Sequence, residues 1–294
     1  MTKLSVIIPT YNRPEQLKEA VNSVLDQRLE DLEIIIIDDA SDPESQNQID
    51  AISSLSSRVH LKRNMSNSGV PTCRNIGLEN AKGDYILFLD DDDVLLPNML
   101  KQSIEVIEKE EIDLVSCRVE VVGAHLPDNK INTYNHQQND SIDHLYQMED
   151  RPAEHIFLYH PQVHSFLIRC EAIGGTRFLS EYDYGEDMLF WLALAQKGLK
   201  FKKVNFIGSR YHLHERSASL QASFASKIKF YHSVYRNYST SKSMKSLCWL
   251  KMAMVALKSG DYRFVIWLLR SCQVSPKLFF RHAKHYARLF FKSP

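Results

Sequence analysis

Four consecutive aspartates, Asp90–Asp93, follow the apolar run YILFL, and an apolar stretch resumes almost at once. Neighbouring carboxylates repel one another, and carboxylates are rarely buried without a partner. Mg²⁺ and Mn²⁺ take oxygen ligands, usually one or two protein carboxylates together with phosphate oxygens. In an extended turn Asp90 and Asp92 point to the same side and Asp91 points away. The run therefore predicts a metal site for a bound diphosphate, and the alternative is a solvated acidic turn.

Strands and helices alternate through the first 122 residues, and the strands lack alternation of apolar and polar side chains. The predicted strands are 4–10, 33–40, 58–63, 84–90 and 113–122. This pattern is typical of an α/β domain with a mostly parallel sheet and helices on both faces. Tyr11, Asp38–Asp39 and Asp90–Asp93 follow three of these strands. Because ligands bind beyond the carboxyl ends of parallel strands, we expect these residues to converge on one edge.

Local signals suggest where the helices begin and end. Asn12 is expected to cap a helix that starts near Pro14, and Gly83 to close a helix over 71–83. Asp42 precedes Pro43 and is the expected cap of the next helix, which leaves Asp38–Asp39 for a ligand. Taken alone, that pair could also cap a helix, bind a ribose or base edge, or carry a phosphoryl group.

Composition places the chain among ordinary globular proteins. Its 294 residues are 44% apolar and 24% charged, and no apolar run approaches the roughly 18–20 residues that span a bilayer. The N-terminal sequence lacks a signal-peptide pattern. Five cysteines show no paired spacing, which favours reduced thiols and a cytoplasmic location.

Charge is distributed unevenly along the chain. Residues 225–294 hold 14 lysines and arginines and one acid, whereas residues 1–224 hold 22 bases and 35 acids. Segments such as KLFFRHAKHYARLFFK mix bases with aromatic residues at helical spacing. Basic amphipathic helices of this kind lie on anionic membranes. We expect a helical 225–294 region on a membrane surface, or alternatively a helical subdomain packed against the acidic part. No RNA-binding module is visible, so no nucleic-acid partner is expected.

The polar stretch 123–163 is rich in His, Asn and Gln. A segment this long inside a domain is usually a functional loop, with a short helix possible over 141–149. We expect it to recognise an acceptor. After it, HSFLIRC predicts a strand, MLFWLALAQKG a helix ended by Gly198, and FKKVNFIG another strand.

Five ordered blocks carry a family resemblance. They are VIIPTYNRPEQLKEAVNSVLDQ, EIIIIDDASDPES, NSGVPTCRNIGLENAKGDYILFLDDDDVLLP, YGEDMLFWLALAQKG and YHLHERSAS. Together they span roughly residues 3–220, and the chain resembles the family 2 glycosyltransferases with the GT-A fold. The resemblance implies a Rossmann-like catalytic domain over 1–224 that transfers a sugar from a nucleoside diphosphate sugar with inversion at the anomeric carbon.

The resemblance also implies a nucleotide pocket. Pro9, Thr10 and Tyr11 match the segment that lines the base pocket in this family. Asp39 matches the acid that hydrogen-bonds the base, typically uracil, which favours a UDP-sugar as donor. Arg74 matches a basic residue of the same pocket.

The acidic run matches the family's D-x-D–D block. Asp90 corresponds to the acid near the ribose and the metal, and Asp92 to the principal ligand of Mn²⁺ or Mg²⁺. Asp91 stands where the family usually has a small residue, so it is expected to face outward beside the nucleotide. Asp93 corresponds to a supporting acid.

The catalytic base of the family comes from an acidic pair that opens a helix, here Glu186–Asp187. Displacement at the anomeric carbon needs the acceptor hydroxyl to lose its proton as it attacks. A metal ion stabilises the leaving diphosphate. Asp187 is the predicted base, and Glu186 is the second candidate for that role. The alternative is that both acids only favour the helix N-terminus through its dipole.

Two positions depart from the family pattern. Ala193 and His212 stand where the family often has arginines, which leaves His214 as the predicted contact to the metal or the diphosphate. Ser217 and Ser219 are further candidates for a phosphate contact.

Other functions compete with glycosyl transfer. A metal-dependent nucleotidyltransferase is expected to carry a Gly-rich basic phosphate loop after the first strand, and PTYNRPEQ is not one. A phosphorelay receiver is expected on a far shorter chain. A non-catalytic nucleotide-sugar-binding protein remains open. The resemblance and the basic region together predict a lipid-linked saccharide acceptor, surface polysaccharide synthesis and a peripheral position on the inner face of the cell membrane.

Overall fold

The first half of the chain forms parallel strands connected by helices. The computed structural model describes residues 4–123, 131, 152–214, 221–239, 241–277 and 279–280. The strands are β1 (Leu4–Thr10), β2 (Leu32–Asp38), β3 (Val59–Arg63), β4 (Tyr85–Phe88), β5 (Val94–Leu95), β6 (Leu114–Val122), β7 (Phe166–Arg169) and β8 (Phe201–His212). The helices are α1 (Pro14–Leu25), α2 (Pro43–Ser53), α3 (Val70–Asn80), α4 (Met99–Glu110), α5 (Pro152–Tyr159), α6 (Cys170–Ile173), α7 (Glu186–Ala195), α8 (Phe224–Ser233), α9 (Lys242–Lys258) and α10 (Arg263–Val274).

The strands form one sheet in the order β3-β2-β1-β4-β7-β6-β8-β5. Strands β3, β2, β1 and β4 are parallel to one another. Strand β7 is antiparallel to both β4 and β6, whereas β6 and β8 are parallel. This confirms the predicted α/β fold, although the sheet is mixed beyond β4. The chain leaves β1 towards β2 on one side and returns to β4 on the other, and ligands bind at such a switch in strand order.

Successive side chains of each strand enter different cores. Val6, Ile8 and Leu87 contribute to a core with α1, α2 and α4, whereas Ile7 and Phe88 contribute to a second core. This follows from the twofold repeat of side-chain direction along a strand. The predicted helices on both faces are therefore present.

The C-terminal helices belong to the second core. Phe230 of α8, Met252 of α9 and Trp267 of α10 are buried in the same cluster as Phe88 and Phe166 of the sheet. The predicted boundary at residue 224 thus falls inside one continuous apolar core. Among the described residues, none of the helices is both long and apolar enough to span a bilayer.

Two predicted helix ends were wrong. Arg13, not Asn12, precedes α1. Asn12 has a positive φ of 54°, and its side-chain oxygen accepts a hydrogen bond from the Asp42 N–H at 2.8 Å. Helix α3 ends at Asn80, and Gly83 does not close it. A Cβ on Gly83 would lie 2.5 Å from the backbone nitrogen of Ser5, so glycine is required for close approach to β1.

The predicted cap of α2 is confirmed, whereas the bounds of several strands differ from those predicted. The Asp42 side chain accepts a hydrogen bond of 2.9 Å from the Ser45 N–H and caps α2 as expected. Strands β2, β3, β4, β6 and β7 are one to three residues shorter than predicted, and β8 continues to His212. The helix suggested over 141–149 lies outside the described residues.

Helix α8 holds the loop 181–185, which leads into α7. Lys229 donates to the Glu181 carbonyl at 2.5 Å, and the Ser226 hydroxyl donates to Asp183 at 2.8 Å. The Phe230 ring packs against Gly185, where an added Cβ would lie 2.6 Å from the ring. The start of α7 is therefore positioned by a helix from the C-terminal region.

We predict that Gly185→Ala lowers the free energy of unfolding by about 2–4 kcal/mol, because it combines a left-handed backbone with overpacking. Gly198→Ala is the matched control. Gly198 has a similar φ, +76° against +74°, but nothing lies within 4 Å of its added Cβ. It should cost only about 1–2 kcal/mol. Urea unfolding of both variants measures the difference, and equal losses would contradict the packing argument.

Candidate active site

A cavity of about 480 Å³ lies at the carboxyl ends of the strands. Every predicted catalytic, nucleotide and metal residue lines it, namely Pro9, Thr10, Tyr11, Asp39, Arg74, Asp90, Asp91, Asp92, Glu186, Asp187 and His214. Parallel strand order brings the first eight of these to one edge. The loop before α7 and the end of β8 bring the others. Ser217 and Ser219 lie outside the described residues, as do 124–130 and 132–151 of the predicted acceptor loop.

The acidic run forms a tight turn and not an extended segment. The Asp93 N–H donates to the Asp90 carbonyl at 3.1 Å, so the alternation expected for extended backbone does not apply. The carboxylates of Asp91 and Asp92 consequently share Arg13 as a partner, whereas the carboxylate of Asp90 contacts Arg74. The prediction that Asp91 points away from Asp92 was wrong for this reason.

Asp91 faces inward, contrary to the prediction that it faces outward. It is buried, and its carboxylate accepts hydrogen bonds from the Thr10 hydroxyl at 2.8 Å and from Arg13 at 3.2 Å. Burial and the neighbouring charge of Asp92 raise the pKa of Asp91 to about 7, although Arg13 and Thr10 oppose the shift. The side chain therefore ties the turn to the end of β1.

Asp92 lies beside His214, as the metal prediction requires. His214 Nε2 is 3.0 Å from Asp92 Oδ2, and both side chains are partly exposed. A carboxylate oxygen and an imidazole nitrogen can bind Mn²⁺ together with phosphate oxygens. These two residues fit the predicted cation, and their role as its ligands remains a prediction.

Arg13 was not predicted as a site residue. Its guanidinium donates to Asp92 at 2.8 Å and to Asp91 at 3.2 Å, and its side chain is 39% exposed. It therefore places a positive charge beside the predicted metal ligand. Its position in YNRPEQ, directly after β1, was a signal that could have identified it.

Asp93 belongs to a buried pair behind the cavity. Its carboxylate lies 2.9 Å from His164 Nδ1 and accepts a hydrogen bond from the His212 N–H at 2.9 Å. Burial lowers the pKa of His164, but the Asp93 charge raises that pKa above its ordinary value. Asp90, Asp93 and His164 could also hold a cation, since one ligand atom from each lies within 4.8 Å of the others. Nothing in the sequence singled out His164.

His212 supports the turn from the side of β8. Its Nδ1 lies 2.7 Å from the Asp92 carbonyl, in addition to the backbone contact with Asp93. The family often has an arginine at this position. Here the histidine instead contacts the acidic turn.

Arg74 joins the acidic turn to the start of α7. One guanidinium nitrogen donates to Asp90 at 2.6 Å and another to Glu186 at 3.1 Å. The side chain is 3% exposed and lies over the Phe178 ring. Burial lowers the pKa of Arg74, but Asp90, Glu186 and Asp187 raise it above its ordinary value. In this structure Arg74 is an ion-pair bridge between the two predicted acidic sites.

Asp187 occupies the first turn of α7. Its carboxylate accepts a hydrogen bond from the Met188 N–H at 2.7 Å. Burial and then the charge of Glu186 raise the pKa of Asp187 to about 7, although Arg74 opposes the shift. A carboxylate with a pKa near neutrality is a suitable general base.

Asp38 and Asp39 have different environments. Asp38 accepts hydrogen bonds from Arg63 at 2.6 Å and from the Ser41 N–H at 3.0 Å, and is fully buried. Asp39 lines the cavity and accepts hydrogen bonds from Asn64, from Ser68 and from the Gly69 N–H.

Burial raises the pKa of Asp39, but the hydrogen bonds from Asn64, Ser68 and Gly69 hold it below its ordinary value. Asp39 is therefore ionised and fixes the segment before α3. A nucleobase that contacts Asp39, as predicted, has to bind while these hydrogen bonds remain in place.

The cavity lining also includes His160, which follows α5. His160 has a positive φ of 45°, and its Nε2 contacts the buried Lys251 ammonium of α9. Lys251 also donates to the Phe157 carbonyl at 2.9 Å, and burial lowers the pKa of Lys251 to about 7. Sequence reasoning missed this pair, which connects the C-terminal region to the cavity wall.

Known proteins resemble this chain in part or over most of its length. A match to an uncharacterized glycosyltransferase of Haemophilus influenzae is 37% identical over 106 residues, which are 36% of this chain and only 35% of that protein. A match to the Escherichia coli UDP-Glc:alpha-D-GlcNAc-diphosphoundecaprenol beta-1,3-glucosyltransferase WfaP is 26% identical and covers 74% of this chain and 80% of that protein.

A solved structure shares the fold. Staphylococcus aureus TarS residues 1–349, in complex with UDP-GlcNAc, has a TM-score of 0.62 over 99% of this chain and 82% of that one, at 17% sequence identity. The similarity supports the GT-A fold predicted from the sequence. The family model described as Glycosyl transferase family 2 matches residues 5–174, more than half of the chain, and the chain therefore belongs to that family.

Proposed function

We propose that this protein is an inverting glycosyltransferase that moves a sugar from a UDP-sugar to a hydroxyl group of a lipid-linked saccharide in surface polysaccharide synthesis. The observation that carries the proposal is the cavity itself, which is lined by the Asp92–His214 pair and by Asp187, and in which Arg74 joins Asp90 to Glu186. The name of the related glucosyltransferase, which includes a UDP-sugar donor and a diphosphoundecaprenol acceptor, supports the choice of substrates.

Asp187 is the proposed base. Its carboxylate accepts the proton of the acceptor hydroxyl as that oxygen attacks the anomeric carbon opposite the diphosphate, which inverts the configuration. Arg74 holds Glu186 away from this role through a hydrogen bond of 3.1 Å, so the two neighbouring acids have different tasks. Glu186 remains close enough to raise the pKa of Asp187.

Asp92 and His214 are the proposed ligands of Mn²⁺ or Mg²⁺, with Asp90 nearby through the same turn. When bound, the cation neutralises charge on the leaving diphosphate. The exposed guanidinium of Arg13 can then leave Asp92 and contact a phosphate oxygen, since Arg matches phosphate geometry well. Pro9, Thr10, Tyr11 and Asp39 lie where the nucleotide is proposed to bind.

The acceptor is proposed to enter beside Asp187. The cavity lining includes Tyr184, directly before α7, and also His160 and Gln162. Residues 160–162 lie at the C-terminal end of the stretch 123–163 that is predicted to recognise the acceptor. A lipid-linked acceptor places the enzyme on the inner face of the cell membrane. The basic 225–294 region supports a peripheral position there.

Nucleotide binding is the first test. We expect UDP with Mn²⁺ to raise the melting temperature, since a ligand at 100 times its Kd adds about 2.7 kcal/mol to the unfolding free energy. We expect smaller shifts with dTDP, GDP and CMP, and loss of the Mn²⁺-dependent shift in Asp92→Asn. Glu110→Gln, a surface acid paired with Lys202, is the control. No shift with any nucleotide would contradict the proposed donor site.

The base is tested by Asp187→Asn, which keeps the shape of the side chain and removes its basicity. We expect kcat to fall by about 10²–10⁴-fold, the usual contribution of a general base, while the UDP–Mn²⁺ melting shift is retained. Transfer is measured with a UDP-sugar and a saccharide diphosphate acceptor. Unchanged kcat would rule out Asp187 as the base, and nucleotide binding without transfer in the wild type would indicate a non-catalytic binding protein.

The pH dependence of kcat/KM tests the environment of Asp187. The protonated carboxyl cannot accept a proton, so activity should fall as the pH drops through the raised pKa of about 7. Glu186→Gln removes the like charge and releases Arg74, and both changes lower that pKa. We therefore expect the acid limb of the profile to move to lower pH in Glu186→Gln. A limb that stays in place would show that another group controls it.

A further inference from the structure

An exposed apolar stripe runs along α10 and the residue before it. Tyr262, Val265, Ile266 and Leu269 are 78%, 48%, 46% and 60% exposed. Their spacing of i, i+3, i+4 and i+7 places all four on one side of the helix. Large contiguous apolar surfaces of this kind mark interaction sites, whereas single exposed apolar residues do not.

The opposite side of α10 is fixed to the protein. Trp267 and Ser271 are buried, and the Ser271 hydroxyl donates to the Ser246 carbonyl of α9 at 2.7 Å. The stripe is therefore held outward by a packed helix. Leu257 at the end of α9 and Phe280 beyond α10 are also strongly exposed.

Basic side chains flank the stripe. Arg263 and Arg270 project from one side of it and lie over the rings of Trp267 and Trp249, at 5.5 Å and 4.9 Å. Lys258 and Lys277 are exposed near its two ends. The one acid of 225–294, Asp261, is hydrogen-bonded to Arg263.

The charge of the region identifies the partner. An anionic lipid surface attracts each base that approaches it and accepts apolar side chains at the depth of the headgroups. A second copy of the chain, paired stripe to stripe, is disfavoured because it offers these bases no further acid: Asp261, the one acid of 225–294, already pairs with Arg263. An acidic, partly apolar surface is therefore the complementary partner.

We propose that α10 lies in the plane of an anionic membrane leaflet and inserts Tyr262, Val265, Ile266 and Leu269 among the lipid headgroups. This inference deepens the proposed function, since an enzyme with a lipid-linked acceptor meets that acceptor at a membrane. It assigns the contact to the stripe on α10 and its flanking arginines. The acidic cavity is not part of the contact.

Vesicle co-sedimentation of the full chain tests the proposal. We expect binding to phosphatidylcholine vesicles that contain 30% phosphatidylglycerol to exceed binding to pure phosphatidylcholine by more than about tenfold, since each base near an anionic surface contributes about fivefold. The triple variant Val265→Ser/Ile266→Ser/Leu269→Ser should lose at least tenfold. The double variant Leu55→Ser/Ile207→Ser removes apolar residues of similar exposure, 50% and 47%, and should bind as the wild type does.

A second measurement does not depend on loss of binding. Leu269→Trp should show a blue shift in emission with anionic vesicles and quenching by brominated lipid, since the indole enters the headgroup region. Any one of three results would overturn the proposal. These are wild-type protein that does not bind anionic vesicles, a triple variant that binds them as the wild type does, and Leu269→Trp emission that brominated lipid does not quench. A wild-type dimer in solution that the triple variant abolishes would assign the stripe to a second copy.

Failure of this inference is distinguishable from failure of the proposed function. Transfer to a water-soluble acceptor without vesicles should be the same in the triple variant and in the wild type, because α10 does not line the cavity. Sugar transfer by an enzyme that does not bind vesicles would refute only the membrane contact. A protein that binds vesicles but transfers nothing would refute only the glycosyltransferase proposal.

Discussion

The buried guanidinium of Arg74 is the interaction on which the site depends. Five acids, Asp90–Asp92 and Glu186–Asp187, line one cavity, and their repulsion is strong where water is scarce. Arg74 bonds to one acid of each group, at 2.6 Å and 3.1 Å, and so holds the end of β4 and the start of α7 together. Loss of this charge would leave both acidic groups without their common partner. Removal of one partner from a buried ion pair is strongly destabilising, because the remaining charge is uncompensated.

The position of Arg74 is itself set by a chain of local contacts. Asp39, at the end of β2, accepts hydrogen bonds from Ser68 and from the Gly69 N–H, and these fix the residues before α3. Helix α3 then carries Arg74 across the carboxyl edge of the sheet. A change in the segment 64–69 would therefore reach the acidic turn through α3, even without contact to it.

The C-terminal helices support the loop that leads to Asp187, and they also carry the membrane surface proposed for α10. Helix α8 anchors the loop 181–185, and Lys251 of α9 contacts His160 in the cavity wall. The change in composition near residue 224 thus marks a change of surface charge. It does not mark a break in packing, because one core continues across it.

The sequence by itself determined the α/β alternation, the family, and the edge of the sheet where the site lies. Buried apolar strands, the Asp42 cap and the rule for parallel strand ends are local or topological signals, and they sufficed to bring the predicted residues to one cavity. Only the tertiary structure decided that Asp91 turns inward, that Arg13 lies beside Asp92, and that Arg74 binds Glu186. These contacts join residues 78 to 112 positions apart. The turn at 90–93 and the packing of α3, α7 and β8 orient these side chains, and no short segment of sequence encodes that arrangement.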